Sequence, residues 1–227
     1  MTLYNFFLKM GFSISRCTPR GKVLEFFSKI QPRGSYDLIR LGGAGDGGYW
    51  VPRNLEGIVC CFSPGVADCS DFEEDCAARG MEVFMVDGSV DGPASSNQRF
   101  HFEKKYLASF DSKSKGLLSL DGWYEKSRHL IPPGDLILQM DIEGAEYEVL
   151  HSISGSLLKK FRVVVVEFHH LHQLWNCNSF EMMSNVFEKL LGDFEICHLS
   201  PNPYAGWVDC EGLRFSRLIE ATFVRKQ

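Results

Sequence analysis

Carboxylates and histidines that close apolar runs are the chemistry-bearing residues of this 227-residue chain. Asp87 follows "MEVFMV", Asp141 and Glu143 follow "DLILQM", and Glu167, His169 and His170 finish or follow "FRVVVVEF". His198 stands in "FEICHLS", and Asn202 comes shortly after it. A carboxylate at the end of a very apolar strand is costly unless it is paired, solvated or bound to a cation. Several such groups in one crevice could attract a cationic ligand, take a proton from a hydroxyl, or hold a divalent metal through oxygen. Each also has a plainer use. An aspartate can cap a helix, and a histidine can simply be packed.

These assignments need a fold that gathers strand ends. The runs "GIVCCF", "MEVFMVD", "DLILQMD" and "FRVVVVEF" are short and nearly continuous in apolar residues. Helical stretches lie between them. In "DCSDFEEDCAARG", Ser70 and Glu73 have capping-box spacing and Gly80 is a natural stop. "GAEYEVLHSI" is a second helical stretch. This alternation predicts a parallel sheet covered on both faces. In "NSFEMMSNVFEKLLGD", Phe180, Met183, Phe187 and Leu190 fall on one helical face. The last strands, "FEICHLS" and "RLIEATFVRK", are joined only by a turn-rich loop and are expected to pair as an antiparallel hairpin. Ligands of open parallel sheets bind beyond the carboxyl ends of the strands, where the residues above lie. Gly65, in "SPGVADCS", offers a bare backbone that a nucleoside can approach closely. Asp87, 22 residues later, has about the spacing at which a carboxylate meets ribose hydroxyls.

Residues 1–35 predict a helical preface, in which "GKVLEFFSKI" places Val23, Phe26, Phe27 and Ile30 on one face. "GGAGDGGYW" comes next. Gly43, Gly45 and Gly48 match G-x-G-x-x-G, but that motif marks a dinucleotide site only where it opens a helix. Tyr49, Trp50 and Val51 favour a strand instead, and Pro52 opposes a helix. The stretch reads as a turn. It is either a plain hairpin or a flap over the pocket that offers Asp46 and Tyr49 to cofactor or acceptor.

Hydrophobic residues make up 44% of the chain and charged residues 23%, enough for a sizeable core. The net charge is −5 with no basic run, which argues against a nucleic-acid partner. No two of the eight cysteines have C-x-x-C spacing, so neither a zinc ribbon nor a thioredoxin-type site is expected. "MTLYNFFLKMGFSI" is too short to span a bilayer and lacks the basic start of a secretory leader. Free thiols without a leader lead to the expectation of a cytoplasmic location. Nothing in the pattern sets the oligomeric state.

"LIRLGGAGDGGYWVP", "FSPGVADCSDFEEDCAARG", "VFMVDGSVDGP", "LQMDIEGAEYEVL" and "VVVVEFHHL" together resemble the FkbM family of S-adenosylmethionine-dependent methyltransferases, from about Leu38 onward. The resemblance implies a Rossmann-like class I methyltransferase fold. Its mostly parallel seven-stranded sheet would end in an antiparallel hairpin. The chain would then divide into a helical extension over 1–35 and the methyltransferase domain over 36–227. The resemblance places Ser63, Gly65 and Asp68 at the cofactor loop. It places Asp87, with Gly88 and Ser89 beside it, at the ribose, and Asp141 and Glu143 between methionine and substrate. The implied reaction is O-methylation of a sugar, glycan or other small hydroxylated acceptor. Candidate bases are Asp141, His169, His170 and His198. Asp141 and Glu167 occupy places similar to those that bind magnesium in a related class, so a Mg or Mn ion is a further expectation. Two departures stand out. "SPGVADCS" replaces a longer glycine–asparagine loop, and Asn202 stands in "SPNPY" where relatives often carry paired asparagines. Two other classes compete: a non-catalytic module that binds S-adenosylmethionine or a nucleotide, and a nicotinamide-dependent oxidoreductase. The latter would need the glycine fingerprint after the first sheet strand.

Overall fold

The computed structural model describes residues 3–12, 14–45 and 47–226; Asp46 lies outside them. The chain opens with α1 (Leu3–Lys9) and α2 (Arg20–Lys29), then a hairpin of β1 (Leu38–Leu41) and β2 (Tyr49–Pro52). Next come β3 (Ile58–Pro64), α3 (Asp71–Ala78), β4 (Glu82–Val86) and β5 (Phe100–Glu103). A short pair, β6 (Tyr106–Leu107) and β7 (Leu117–Leu118), precedes α4 (Leu120–Ser127). After these lie β8 (Asp135–Met140), α5 (Glu146–Ser152), α6 (Gly155–Leu158), β9 (Phe161–Phe168) and α7 (Cys177–Asp193). The chain closes with β10 (Phe194–Pro201), a small hairpin of β11 (Trp207–Cys210) and β12 (Leu213–Ser216), and β13 (Ile219–Arg225).

Seven strands form one sheet in the order β10-β13-β9-β8-β3-β4-β5. The pairs from β9 to β5 are parallel, and β13 runs antiparallel to both β9 and β10. This is the Rossmann-like α/β sheet with an antiparallel end that the sequence implies. The second strand of the terminal pair is the one that inserts against β9. The β-branched run of β9 is buried on both sides, as a central parallel strand requires. The seventh strand, β5, comes from "FHFE", a partly buried edge stretch that apolar patterning does not mark.

Side chains alternate across the sheet. On one face Phe62, Phe84, Leu138 and Val164 pack with α2, α4, α5 and α7. On the other, Cys61, Val83, Ile137 and Val163 pack with α3 and the β1–β2 hairpin. The apolar stripe of α7 is as expected, with Phe180, Met183, Val186, Phe187 and Leu190 buried. Phe26 of α2 stacks edge-on against Phe187, with ring centroids 5.0 Å apart. The preface is therefore continuous with the main core.

The capping box at α3 does not form. Ser70 is the N-cap residue but makes no side-chain capping bond; its Oγ accepts from the Ala94 N–H at 3.1 Å. Glu73 is turned inward to Ser63 instead. All eight cysteines are free, and among the described residues no helix is long and apolar enough to cross a membrane.

Phe26→Ala should destabilise the whole molecule by about 3 kcal/mol, the usual cost of emptying a buried phenylalanine site. Urea unfolding should still show one cooperative transition. A loss below about 0.5 kcal/mol would place α2 outside the cooperative core.

Candidate functional site

Three strand ends meet at Gly65. Its N–H donates to Val86 O at 3.0 Å, and the neighbouring Pro64 O accepts from Asp141 N at 3.2 Å. Gly65 has φ +82°, and a Cβ there would lie 1.6 Å from Asp141 O. Only a glycine lets the β3 and β8 ends approach this closely. The contact separates two lobes of one cleft. The larger lobe, about 370 Å³, is lined by Gly65, Asp87, Tyr106, Asp141 and Ile142, among others. The smaller lobe, about 160 Å³, shares Gly65, Ala67 and Asp141, and adds Tyr49, Asp68, Glu73 and Gln139.

Asp87 sits just past β4 and is buried. Oδ2 accepts from Ala67 N at 2.9 Å, and Oδ1 accepts from Ser89 N and Ser89 Oγ at 2.7 and 2.6 Å. Burial works against its charge, but the bonds from Ser89 and from the Ala67 and Val66 N–H groups outweigh that and hold its pKa below the usual value. Ser89 thus serves Asp87 and also lines the larger lobe. Gly88 permits a close approach of Tyr106, since a Cβ there would come within 2.4 Å of that ring.

A second group of charges lies where β8 and β9 end. The Tyr49 hydroxyl, delivered by the β1–β2 hairpin, is 3.3 Å from Asp141 Oδ2 and 3.2 Å from Glu167 Oε2. Burial first, and then these two carboxylates, push the phenol far above its ordinary pKa, so it remains a neutral donor. Asn202 Nδ2 reaches Glu167 Oε1 at 3.5 Å. The Nε2 of His169 lies 3.8 Å from Asp141 Oδ1 and 3.4 Å from Glu143 Oε2. Burial pushes Asp141 up to about 6, with Glu143 and Glu146 adding to the rise and His169 opposing it. Burial would lower His169, but the hydrogen bond and charge of Glu146, then Asp141 and Glu143, raise it to about 9. His169 is therefore a cation at neutral pH. Asp141 Oδ1 is buried with no hydrogen-bond partner.

The cluster rests on Glu146, which is fully buried. Its Oε1 accepts from Ile142 N, Gly144 N and His169 Nδ1 at 3.1, 3.0 and 3.1 Å. One carboxylate thereby fixes the turn after Asp141 and orients the imidazole. Sequence reasoning misses Glu146, because "GAEYEVL" looks like an ordinary helix start. Its one signal is a second glutamate two residues past a strand-end "DIEG" turn. Glu73 and Gln139 are missed as well. Both lie at hydrogen-bond distance from the buried Ser63 hydroxyl, Gln139 Oε1 at 2.5 Å. Burial raises the pKa of Glu73.

The structure brings Tyr49, Asp141, Glu143, Glu167, His169 and Asn202 into one cluster, with Gly65 and Asp87 across the cleft. Asp68 is exposed at the rim of the smaller lobe. His170 is exposed, with its ring against Gly144. His198 lies on β10 and packs near Trp50, with ring centroids 6.0 Å apart, away from the carboxylates. Burial, then Arg40, lowers its pKa. The glycine stretch is a hairpin loop tied down by Arg40, which donates to Gly43 O and Gly45 O at 2.9 and 2.7 Å. Tyr49 at its far end enters the site, so the loop is a hairpin and also a wall of the smaller lobe.

The cleft suits S-adenosylmethionine. Asp68, Glu73 and Asp141 line the smaller lobe with no Lys, Arg or His among its described lining residues, an environment that favours sulfonium and ammonium charge. Asp87 lines the larger lobe with acceptor capacity left on both oxygens. One donor atom each from Asp141, Glu167 and His169 lies within 4.8 Å of the others, a spacing that a single divalent cation could bridge.

A model of the methyltransferase FkbM domain matches residues 7–192. A search of curated proteins gives no match. Among solved structures, a fibrillarin/Nop5p complex is similar at TM-score 0.42 and 14% identity, over 76% of this chain and 75% of that one. A provisionally assigned RNA methyltransferase from Pyrococcus horikoshii is similar at TM-score 0.33 and 9% identity, over 75% and 77% of the two chains.

Glu146→Ala should cost about 3 kcal/mol or more, because it strands two backbone N–H groups and a buried imidazolium. Denaturant unfolding measures this. A cost below about 1 kcal/mol would mean that Glu146 does not hold the turn.

Proposed function

Because the chain belongs to the FkbM methyltransferase family, we propose that it transfers the methyl group of S-adenosylmethionine to a hydroxyl oxygen of a sugar, glycan or other small hydroxylated acceptor. The observation that carries this reading is the position of Asp141. It lines both lobes of the cleft, and its Oδ1 is buried without a partner. S-adenosylmethionine supplies an electrophilic methyl group on a positively charged sulfur. Asp87 accepts from the ribose hydroxyls with a carboxylate already held in its charged form. Asp68 and Glu73 face the methionine end in the smaller lobe. Asp141 Oδ1 accepts the proton of the attacking hydroxyl, an alcohol being a poor nucleophile without a base. Tyr49, donating toward Oδ2, fixes the orientation of that carboxylate and leaves Oδ1 as its unbonded acceptor. His169 offsets part of the surrounding negative charge and, with Glu143, borders the acceptor side. Alignment of oxygen, methyl and sulfur is the remaining requirement, and the rigid turn on Glu146 provides the fixed wall against which it is set.

A second reading is favoured by the spacing of Asp141, Glu167 and His169. A bound Mg or Mn ion would be held by Asp141 and Glu167, joined by His169 once the ion displaces its Nε2 proton, and would acidify the acceptor hydroxyl. His170 and His198 lie outside the cluster, which leaves neither well placed as base.

Two variants separate binding from chemistry. Asp87→Ala should weaken S-adenosylhomocysteine binding about tenfold or more by calorimetry, the size expected for losing hydrogen bonds to a charged group. Asp141→Asn should change that affinity less than about fivefold while lowering turnover at least about 100-fold. Wild-type turnover in folded Asp141→Asn would remove it as base.

Exhaustive EDTA treatment should leave turnover intact if Asp141 is the base. Turnover lost in EDTA and restored by Mg²⁺ or Mn²⁺, with S-adenosylhomocysteine still bound, would establish the cation reading instead.

A further inference from the structure

An apolar segment on the surface stands outside everything described so far. Phe6, Leu8, Met10, Phe12 and Ile14 are each 45–60% exposed. Among the described residues, these five belong to a set of only thirteen large apolar side chains that are exposed. More than a third of that set thus sits within nine residues of chain, whereas exposed apolar residues are normally scattered singly.

The charge around the segment is as uneven as its hydrophobicity. The chain carries a net charge of −5, yet its first 24 residues contain Lys9, Arg16, Arg20 and Lys22 and no Asp or Glu. Lys22 pairs with Glu181 and the Arg20 Nε donates to Glu211 O at 3.1 Å. Among the described residues, Lys9 and Arg16 make no ion pair. Exposed apolar side chains interleaved with unpaired cations on an otherwise acidic molecule complement one kind of surface, an anionic lipid bilayer. Apolar side chains would enter the headgroup region while the cations meet the lipid charge. An acidic protein partner would satisfy the cations but would not need so many separate apolar tips.

The segment is fastened to the active edge of the sheet. Thr18 N donates to Trp175 O at 2.8 Å, and Cys177 N donates to Arg16 O at 3.1 Å. Trp175 ends the 3-10 turn that directly follows His170. Arg20 meets Glu211 in the turn of the β11–β12 hairpin, which grows from the loop bearing Asn202. That hairpin also carries the exposed Trp207, and Tyr204 before it is almost fully exposed.

We propose that Phe6, Leu8, Met10, Phe12 and Ile14, with the cations Lys9 and Arg16, bind the surface of an anionic membrane and hold the catalytic edge of the protein close to it. The inference does not depend on methyl transfer, and its test needs no turnover.

The full chain should co-sediment with large unilamellar vesicles of phosphatidylcholine containing about one-third phosphatidylglycerol. It should bind pure phosphatidylcholine vesicles at least about tenfold more weakly, and added salt should release it. Lys9→Gln and Arg16→Gln should each lower the partition coefficient about fivefold. Leu8→Ser with Phe12→Ser should lower it about tenfold or more. Circular dichroism and thermal unfolding of these exposed-site variants should match wild type. Absence of sedimentation with anionic vesicles would overturn the proposal. So would binding unchanged in the folded Leu8→Ser, Phe12→Ser variant. A concentration-dependent dimer by light scattering that Phe12→Ser abolishes, without vesicle binding, would assign the patch to a second copy of the chain instead.

Discussion

The whole site hangs on one close approach, that of Gly65 to the Asp141 carbonyl. A Cβ at position 65 would occupy the space of that oxygen. With no Cβ there, the ends of β3 and β8 stay close, and the Gly65 N–H can pair with β4 at Val86. The three strands are already in parallel register through their apolar bodies. Where those bodies stop, Asp87 emerges on one side and Asp141 on the other. The cleft between them is the direct result of where three apolar runs end.

Gathering strand ends in this way concentrates buried charge. Asp141, Glu146 and Glu167 are withdrawn from water around one imidazole, with the exposed Glu143 beside it, and desolvating three carboxylates is expensive without partners. The fold answers with a neutral phenol, an imidazolium and backbone N–H groups. Tyr49 comes from a hairpin laid across the sheet, far from the carboxylates in sequence. His169 becomes cationic because Glu146 holds its other nitrogen. Glu146 is itself held by the two N–H groups of the turn after Asp141. Two buried oxygens of the cluster, Asp141 Oδ1 and Glu146 Oε2, are left without a hydrogen-bond partner, and of these two residues only Asp141 lines the cleft. An unmet acceptor on a residue that lines the cleft is what the proposed role of Asp141 rests on.

Much of this is legible in the sequence, and the reason is physical. Parallel strands buried on both faces must be written as continuous apolar runs, so β3, β4, β8 and β9 are visible, and with them the residues at their ends. The antiparallel end is legible because no helix separates β10 from β13. The edge strand β5 is not, since an edge stretch such as "FHFE" need not be fully apolar. Local rules also fail where tertiary contacts take over. Ser70 and Glu73 have capping-box spacing, but Glu73 is drawn inward to Ser63, a contact that no local pattern encodes. Glu146 is hidden for the same reason, because a first-turn glutamate normally faces solvent. His198 looks equivalent to His169 at the end of a strand. It lies toward the far edge of the sheet, a distinction that only strand order supplies.

A family-level assignment leaves the acceptor atom as the central chemical claim, since only an oxygen nucleophile would give Asp141 the proposed role of base. The direct measurement is methyl transfer from isotopically labelled S-adenosylmethionine to a panel of hydroxylated, amino and thiol acceptors, with products located by mass spectrometry. The account predicts label on a hydroxyl oxygen and none on nitrogen or sulfur. Label on nitrogen or sulfur, or tight cofactor binding with no transfer to any hydroxyl acceptor, would contradict it.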